Sequence, residues 1–397
     1  SIALGAATAK VDINNDRVAL NDLTAAVMNG RLNGSAAIAF NNRTQSTFNG
    51  DFANLDIGKL LALQGGRVIP LEGETTGRVD LTFAGTNFRT ASGTVNADIS
   101  ANAGNASGGA IPVNGQVKLT GVNGLFNVDL ANLNTTSSKL TATGKFDLKD
   151  ENSDLTVALR STDANEVDRL IRVLGVSSEL ENQLDSMQVQ FAGNLTFDGK
   201  ITGNLTDPDV DGRASLDSLV MRGRNVGSVS TDILVTPLGT DLKNGRLQQL
   251  DGGSAVFAVN IPSAIANSTT VNATLTGVNI GDLIAALPIE LPERIRDLSG
   301  STSGTVALSG LPDKAQGEVN LNAAKGTIAG QAFDDLLVKA VFSGTTIDLQ
   351  QGDMKFGAGR LTAKGAYDRG STAFNFDLGG TSIPVPLLVA LAPQNDA

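Results

Sequence analysis

The chain has 397 residues, 41% of them hydrophobic and 4% aromatic, and a formal charge of −11 from 30 basic and 41 acidic side chains. That length exceeds what one core usually organises, and the apolar fraction excludes a disordered polymer, so several domains or a repeat array are expected. An acidic chain without basic clusters repels nucleic-acid phosphates and lacks the patch that attracts anionic headgroups. With neither Cys nor His, it has no disulfides, thiol nucleophiles, imidazole acid–base groups or conventional zinc site.

Strict alternation of apolar and polar residues runs along most of the chain. Over 77–83, Val79, Leu81 and Phe83 share one face, and Arg78, Asp80 and Thr82 the other. Over 126–130, Phe126, Val128 and Leu130 oppose Asn127 and Asp129. The 140–148 segment sets Leu140, Ala142, Phe146 and Leu148 against Thr141, Thr143, Lys145 and Asp147. The pattern returns with Val189 and Phe191, with Val271 and Leu275, with Val306, with Val319 and Leu321, and with Phe374, Phe376 and Leu378. Period 2 sends alternate side chains to opposite faces, and one dry and one wet face mark antiparallel sheet with a solvated side. Asn33-Gly34, Asn49-Gly50, Asp198-Gly199, Asn244-Gly245 and Asp251-Gly252-Gly253 suit tight hairpin turns that need positive φ. The fold class is therefore all-β, a long antiparallel meander of about two dozen strands at ordinary strand and turn lengths.

Four short segments carry helical spacing instead: 55–63, 165–174, 278–287 and 381–391. Each has, at or next to its start, a polar residue able to cap a helix, followed by apolar residues at helical spacing. Ser178 and Glu181 have capping-box spacing, so a further short helix is expected to Leu184. Leu60, Leu170, Leu283 and Leu387 align at spacings of 110, 113 and 104. The expected organisation is one continuous elongated array with amphipathic helices about every 110 residues. It comprises a partial repeat over 1–65 and further repeats over 66–176, 177–290 and 291–397. The helices either plug an oily sheet or gate a ligand groove.

Catalytic equipment is sparse. No phosphate-binding loop or dinucleotide fingerprint is present, and the carboxylates are scattered along polar faces. Asp207-Pro208-Asp209-Val210-Asp211-Gly212 resembles half a calcium loop, but position two is Pro and the twelfth position is Ser218 rather than Glu. A turn is the expected reading. The chain is expected to be no enzyme, and neither cofactor nor metal is expected.

The run from Gly203 to Leu216, with Leu205, Pro208 and Gly212 between them, resembles the G-x-L-x-x-P-x-x-x-G-x-x-x-L pattern of AsmA-like proteins. Residues 311–321 are a looser copy, and the Leu-rich segment 53–61 after an alternating strand is also similar to this superfamily. Within it the resemblance is to the TamB (translocation and assembly module) type. The resemblance implies a periplasmic protein tethered to the inner membrane by an N-terminal helix, here lying outside a chain that opens on Ser1-Ile2-Ala3-Leu4. It also implies a sheet curled into an open hydrophobic trough, a β-taco, that moves phospholipid between membranes and supports outer-membrane assembly. Phospholipid acyl chains are then the partners, with an outer-membrane β-barrel as a further one and no nucleic acid.

At about 4.8 Å per strand, two dozen strands in line span on the order of 110 Å. The lipid-facing stripe would comprise Val79, Leu81, Phe83, Val128, Leu130, Phe146, Val189, Phe191, Leu275, Val306, Leu321 and Phe376, with small residues such as Ala97, Ala142, Ala273 and Ala323 leaving room for acyl chains. The alternative is a secreted or cell-surface structural or adhesive repeat protein with closed β-sandwich cores.

Overall fold

The computed structural model describes residues 4–62, 71–101, 110–174, 181–182, 184–185, 188–204, 207–263, 268–286, 298–328 and 330–383. The strands of the first half are β1 (Leu4–Ile13), β2 (Arg17–Val27), β3 (Gly30–Ala39), β4 (Gln45–Asp56), β5 (Leu71–Glu72), β6 (Glu74–Ala84), β7 (Asn87–Ser100), β8 (Ile111–Pro112), β9 (Asn114–Val122), β10 (Leu125–Asn134), β11 (Ser138–Asp147) and β12 (Asn152–Ser161). They continue as β13 (Val189–Asn204), β14 (Asp207–Met221), β15 (Arg224–Thr236), β16 (Gly239–Gln248), β17 (Ser254–Pro262), β18 (Thr269–Asn279), β19 (Ser299–Leu311), β20 (Ala315–Ile328), β21 (Gln331–Gly344), β22 (Thr346–Phe356), β23 (Gly359–Asp368) and β24 (Phe374–Thr381). Three helices interrupt them: α1 (Ile57–Ala62), α2 (Ala164–Leu174) and α3 (Ile280–Ala286). Twenty-two strands belong to one antiparallel sheet that is not closed. The short strands β5 and β8 form a separate parallel pair.

The chain divides into two compact units, Ser1–Val176 with Gly193–Arg213, and Ser177–Ala192 with Ala214–Ala397. In each, successive strands pair as a meander, as period-2 patterning and short connections require. Two-residue turns with left-handed backbone join many of them. Met28 and Asn29 (φ 48° and 68°) link β2 to β3, and Asn123 and Gly124 (φ 49° and 89°) link β9 to β10. Such turns match the right-handed strand twist.

Four of the five expected turns lie elsewhere. Asn33-Gly34, Asn49-Gly50, Asp198-Gly199 and Asn244-Gly245 sit inside β3, β4, β13 and β16, and only Asp251-Gly252-Gly253 is a turn. These glycines permit close backbone contact rather than reversal. A Cβ on Gly34 would lie 2.2 Å from the Asn49 carbonyl oxygen, across the β3–β4 pair. The 207–212 segment is likewise extended and begins β14, so it is neither the expected turn nor a calcium loop. The helix expected over 381–391 lies outside the described residues beyond Ile383, and Thr381 ends β24. Of the short helix expected to reach Leu184, residues 181, 182, 184 and 185 are helical, and 178–180 lie outside the described residues.

Candidate functional site

The feature common to both units is a dry face built by register. In the first unit, Val79 of β6 pairs with Val95 of β7, Val95 with Leu119 of β9, and Leu119 with Val128 of β10. Gly144 holds the β11 position, and Leu155 of β12 and Ile201 of β13 complete the row. A parallel row runs Phe48, Leu81, Gly93, Gly121, Phe126, Phe146. The apolar parity of one strand meets the apolar parity of the next, so alternation becomes continuous apolar stripes.

The opposite face is wet along its length. One row reads Asn49, Asp80, Thr94, Thr120, Asn127, Lys145, Asp154, Thr202. Ion pairs within and between strands decorate it. Arg78 reaches Asp80 at 2.7 Å and Asp51 at 3.5 Å, and Arg160 holds Asp198 at 2.7 Å. The Arg78 hydrogen bond lowers the Asp80 carboxyl below its ordinary range, against a smaller opposing effect of burial. These exposed pairs contribute little stability each, but a register slip by one residue would carry them onto the dry face.

The second unit repeats the arrangement. Its rows are Leu247, Ala255, Leu275, Gly304, Leu321, Val338, Gly352, Ala363, Leu378, and Phe257, Ala273, Val306, Val319, Ala340, Leu349, Gly365, Phe376. Val189 packs with Met221 and Val226, with Phe191, Leu184 and Leu219 around them.

Eleven of the twelve stripe residues are thereby placed on apolar rows or in apolar clusters. Phe83 packs with Leu81, Ala91 and Phe126. Leu130 is the exception. A bulge at Asp129 and Leu130 shifts the parity, so that Leu130 pairs with Lys118 of the wet face while Ala131 takes the position opposite Val117. Strict alternation over 126–130 therefore ends at Val128. Phe376 is on the dry face but 40% exposed. Ala323, expected to leave interior room, is 1% exposed and packed with Phe333, Met354 and Phe356.

Coverage of the dry face varies. Leu81 and Phe126 are buried, whereas Val79, Val95, Leu119, Val128, Leu155 and Ile201 are all half-buried. Val79, Val95 and Leu119 pack against the buried cluster of Leu81, Phe83, Ala91 and Phe126. From Val79 on β6 to Ile201 on β13 the row crosses seven strands, six spacings of about 4.8 Å or roughly 29 Å in all.

The helices sit where strands end. Asp56 caps α1 by accepting the Lys59 amide at 3.1 Å, and Ile57 is buried. In α2, Val167 is buried, and Glu166, only 4% exposed, accepts hydrogen bonds from Ser138 Oγ at 2.6 Å and from Thr135 Oγ1. Buried carboxylates need such partners, and these tie α2 to the β10–β11 connection. Asn279 caps α3, its Oδ1 accepting the Gly281 amide at 2.9 Å. Buried Gln249 donates from Nε2 to Asp282 Oδ2 at 2.9 Å and accepts the Asn279 amide at 2.7 Å. Burial, and then the nearby Asp251, raise the Asp282 carboxyl above its ordinary range, with Arg224 opposing them. Ile280 and Ile284 of α3 close over Phe333, Met354 and Phe356, so this helix plugs one stretch of dry face.

Sequence reasoning missed Glu166 and Gln249 as anchors. A lone carboxylate or amide carries no local signal of burial. Among the described residues, no three carboxylates gather in a metal-binding geometry, and no helix is long and apolar enough to cross a membrane. No protein-family model matches the chain, and no curated protein sequence matches it.

Proposed function

We propose that this chain is a non-enzymatic lipid-holding segment that shields phospholipid acyl chains along its dry face. The observation that carries the reading is the half-buried row from Val79 to Ile201, six large aliphatic side chains in register and none of them sealed. An apolar surface of that continuity needs a cover. An acyl chain occupies about half of a hydrocarbon layer of roughly 30 Å, so a row of about 29 Å is long enough to hold one. Each methylene removed from water contributes about 0.8 kcal/mol, so area burial alone supplies affinity without a reacting group.

In this reading the sheet is an open trough of the AsmA-like, TamB kind. It lies in the periplasm, serves lipid movement between inner and outer membrane, and works beside an outer-membrane β-barrel. The resemblance of 203–216 to the AsmA-like run supports that assignment.

The test is lipid analysis of the protein purified without added lipid, together with titration by a fluorescent fatty acid. Co-purifying phospholipid and saturable fatty-acid binding are expected. Absence of both sinks the proposal and favours closed cores of a structural or adhesive repeat protein.

A further inference from the structure

The cover that α3 gives the second unit's dry face is local. Beneath it runs the row Val278, Thr302, Ala323, Leu336, Met354, Leu361, one residue from each of β18 to β23. Val278, Thr302, Ala323 and Met354 are buried. Two residues further along β20 and β21, Leu321 and Val338 are only half-buried. Six strands make five spacings of about 4.8 Å, roughly 24 Å. That exceeds half of a hydrocarbon layer of roughly 30 Å, so the row has the length for an acyl chain.

The helix has only seven residues. Its Ile280 and Ile284 pack into the cluster of Ala323, Phe333, Met354 and Phe356, which Leu336 and Leu361 also join. It touches β15 as well as β18 and β19, and a Cβ on Gly281 would lie 3.0 Å from Arg224 Nη1 and 3.1 Å from the Leu298 carbonyl oxygen. Strands β15 and β19 lie four spacings, roughly 19 Å, apart along the sheet, so α3 reaches across the dry face rather than along one strand. Gln249 latches its polar side through the hydrogen bonds to Asp282 and from the Asn279 amide. Two features weaken this closed position. Asp282 is repelled by Asp251, with Arg224 as the opposing cation. Thr302 Oγ1 is buried without a hydrogen-bond partner among the described residues, and such burial costs free energy.

We propose that α3 is a displaceable plug seated in an acyl-chain site, so that an acyl chain and the two isoleucines compete for the row from Val278 to Leu361. The inference rests on the lipid-holding reading and adds regulation to it. Ligand binds the fraction of molecules in which α3 has lifted, and the apparent Kd is the intrinsic value divided by that fraction. Loosening the latch therefore tightens binding at this row, and strengthening it weakens binding.

The test pairs titration by a fluorescent fatty acid with amide exchange across α3. In the native chain, saturating fatty acid is expected to speed α3 exchange about tenfold while the β20 and β21 amides stay protected. Gln249→Ala removes both hydrogen bonds of the latch and is expected to lower about tenfold the fatty-acid concentration that half-saturates this response. Asp282→Asn keeps an acceptor for Gln249, removes the charge beside Asp251 and is expected to raise that concentration about threefold. If Gln249→Ala does not fold, the native exchange and Asp282→Asn carry the test. Fatty acid that binds in the titration but leaves α3 exchange unaltered or slower overturns the plug, while the lipid-holding reading stands. The reverse order of the two variants also overturns it. No binding by the native chain or by either variant sinks the lipid-holding reading and the plug with it.

Discussion

Val128→Asp separates an open dry face from a filled one. Val128 is half-buried, between Leu119 of β9 and Gly144 of β11, and its row contains no cation. Fully burying a valine side chain is worth about 1.5–3 kcal/mol, so a half-buried one supplies roughly 1–1.5 kcal/mol. On an open face the new carboxylate keeps water, and the total loss is expected to be about 1–2 kcal/mol. In a sealed core an unpaired carboxylate adds about 3–5 kcal/mol. Phe126→Ala, two residues away and only 5% exposed, is the internal reference, with an expected cost of about 3–5 kcal/mol. Urea unfolding of both variants gives the order directly. Fatty-acid binding by Val128→Asp should fall about tenfold, equivalent to 1.4 kcal/mol, while Asn127→Asp on the wet face should leave it unchanged. If Val128→Asp destabilises more than Phe126→Ala, the face is sealed and the reasoning fails. A stable variant with undiminished binding also refutes it.

Other outcomes follow from individual contacts. Glu166→Ala removes the acceptor shared by Ser138 and Thr135 and should cost about 1–3 kcal/mol, read as faster amide exchange in α2; unaltered exchange would show that the helix is held by Val167 alone. Gly121→Val places a Cβ 2.4 Å from the Phe126 ring, and overpacking of this kind should cost about 1–3 kcal/mol, measured by thermal melting. A neutral result would mean that the ring is free to move aside. Because the Asp282 carboxyl is raised in the folded state, first by burial and then by Asp251, its charged form opposes folding. Its stabilising contribution is complete below the unfolded carboxylate range and is lost as pH rises through the folded value. Asp282→Asn, which still offers Gln249 an acceptor, should therefore slow α3 amide exchange at neutral pH and have little effect in acid, and the opposite order would contradict the assignment.

Alternation made the strands and their faces legible residue by residue. The 77–83 pattern survives intact in β6 and the 140–147 part of the next in β11, with Leu148 in the turn beyond it, and α1, α2 and α3 form where the spacing changes from two to helical. The glycines were misread because Asn-Gly is ambiguous. The same pair serves a two-residue turn at Asn123-Gly124 and a crowded strand interior at Asn33-Gly34, and only the neighbouring strand distinguishes them. Leu130 was misread because a bulge is a property of two strands. Nothing in 126–130 alone records that Asp129 and Leu130 together face Lys118.

By itself the sequence determined a one-faced antiparallel sheet in a chain without histidine or cysteine, since side-chain parity and residue inventory are local and countable. Tertiary structure decided which parts of the dry face are covered. Ile280 seals Phe333, Met354 and Phe356, the row through Val128 is half-buried, and β24 presents Phe374 and Leu378 to water. Burial depends on what lies across the face from a residue, and that neighbour is distant in the chain.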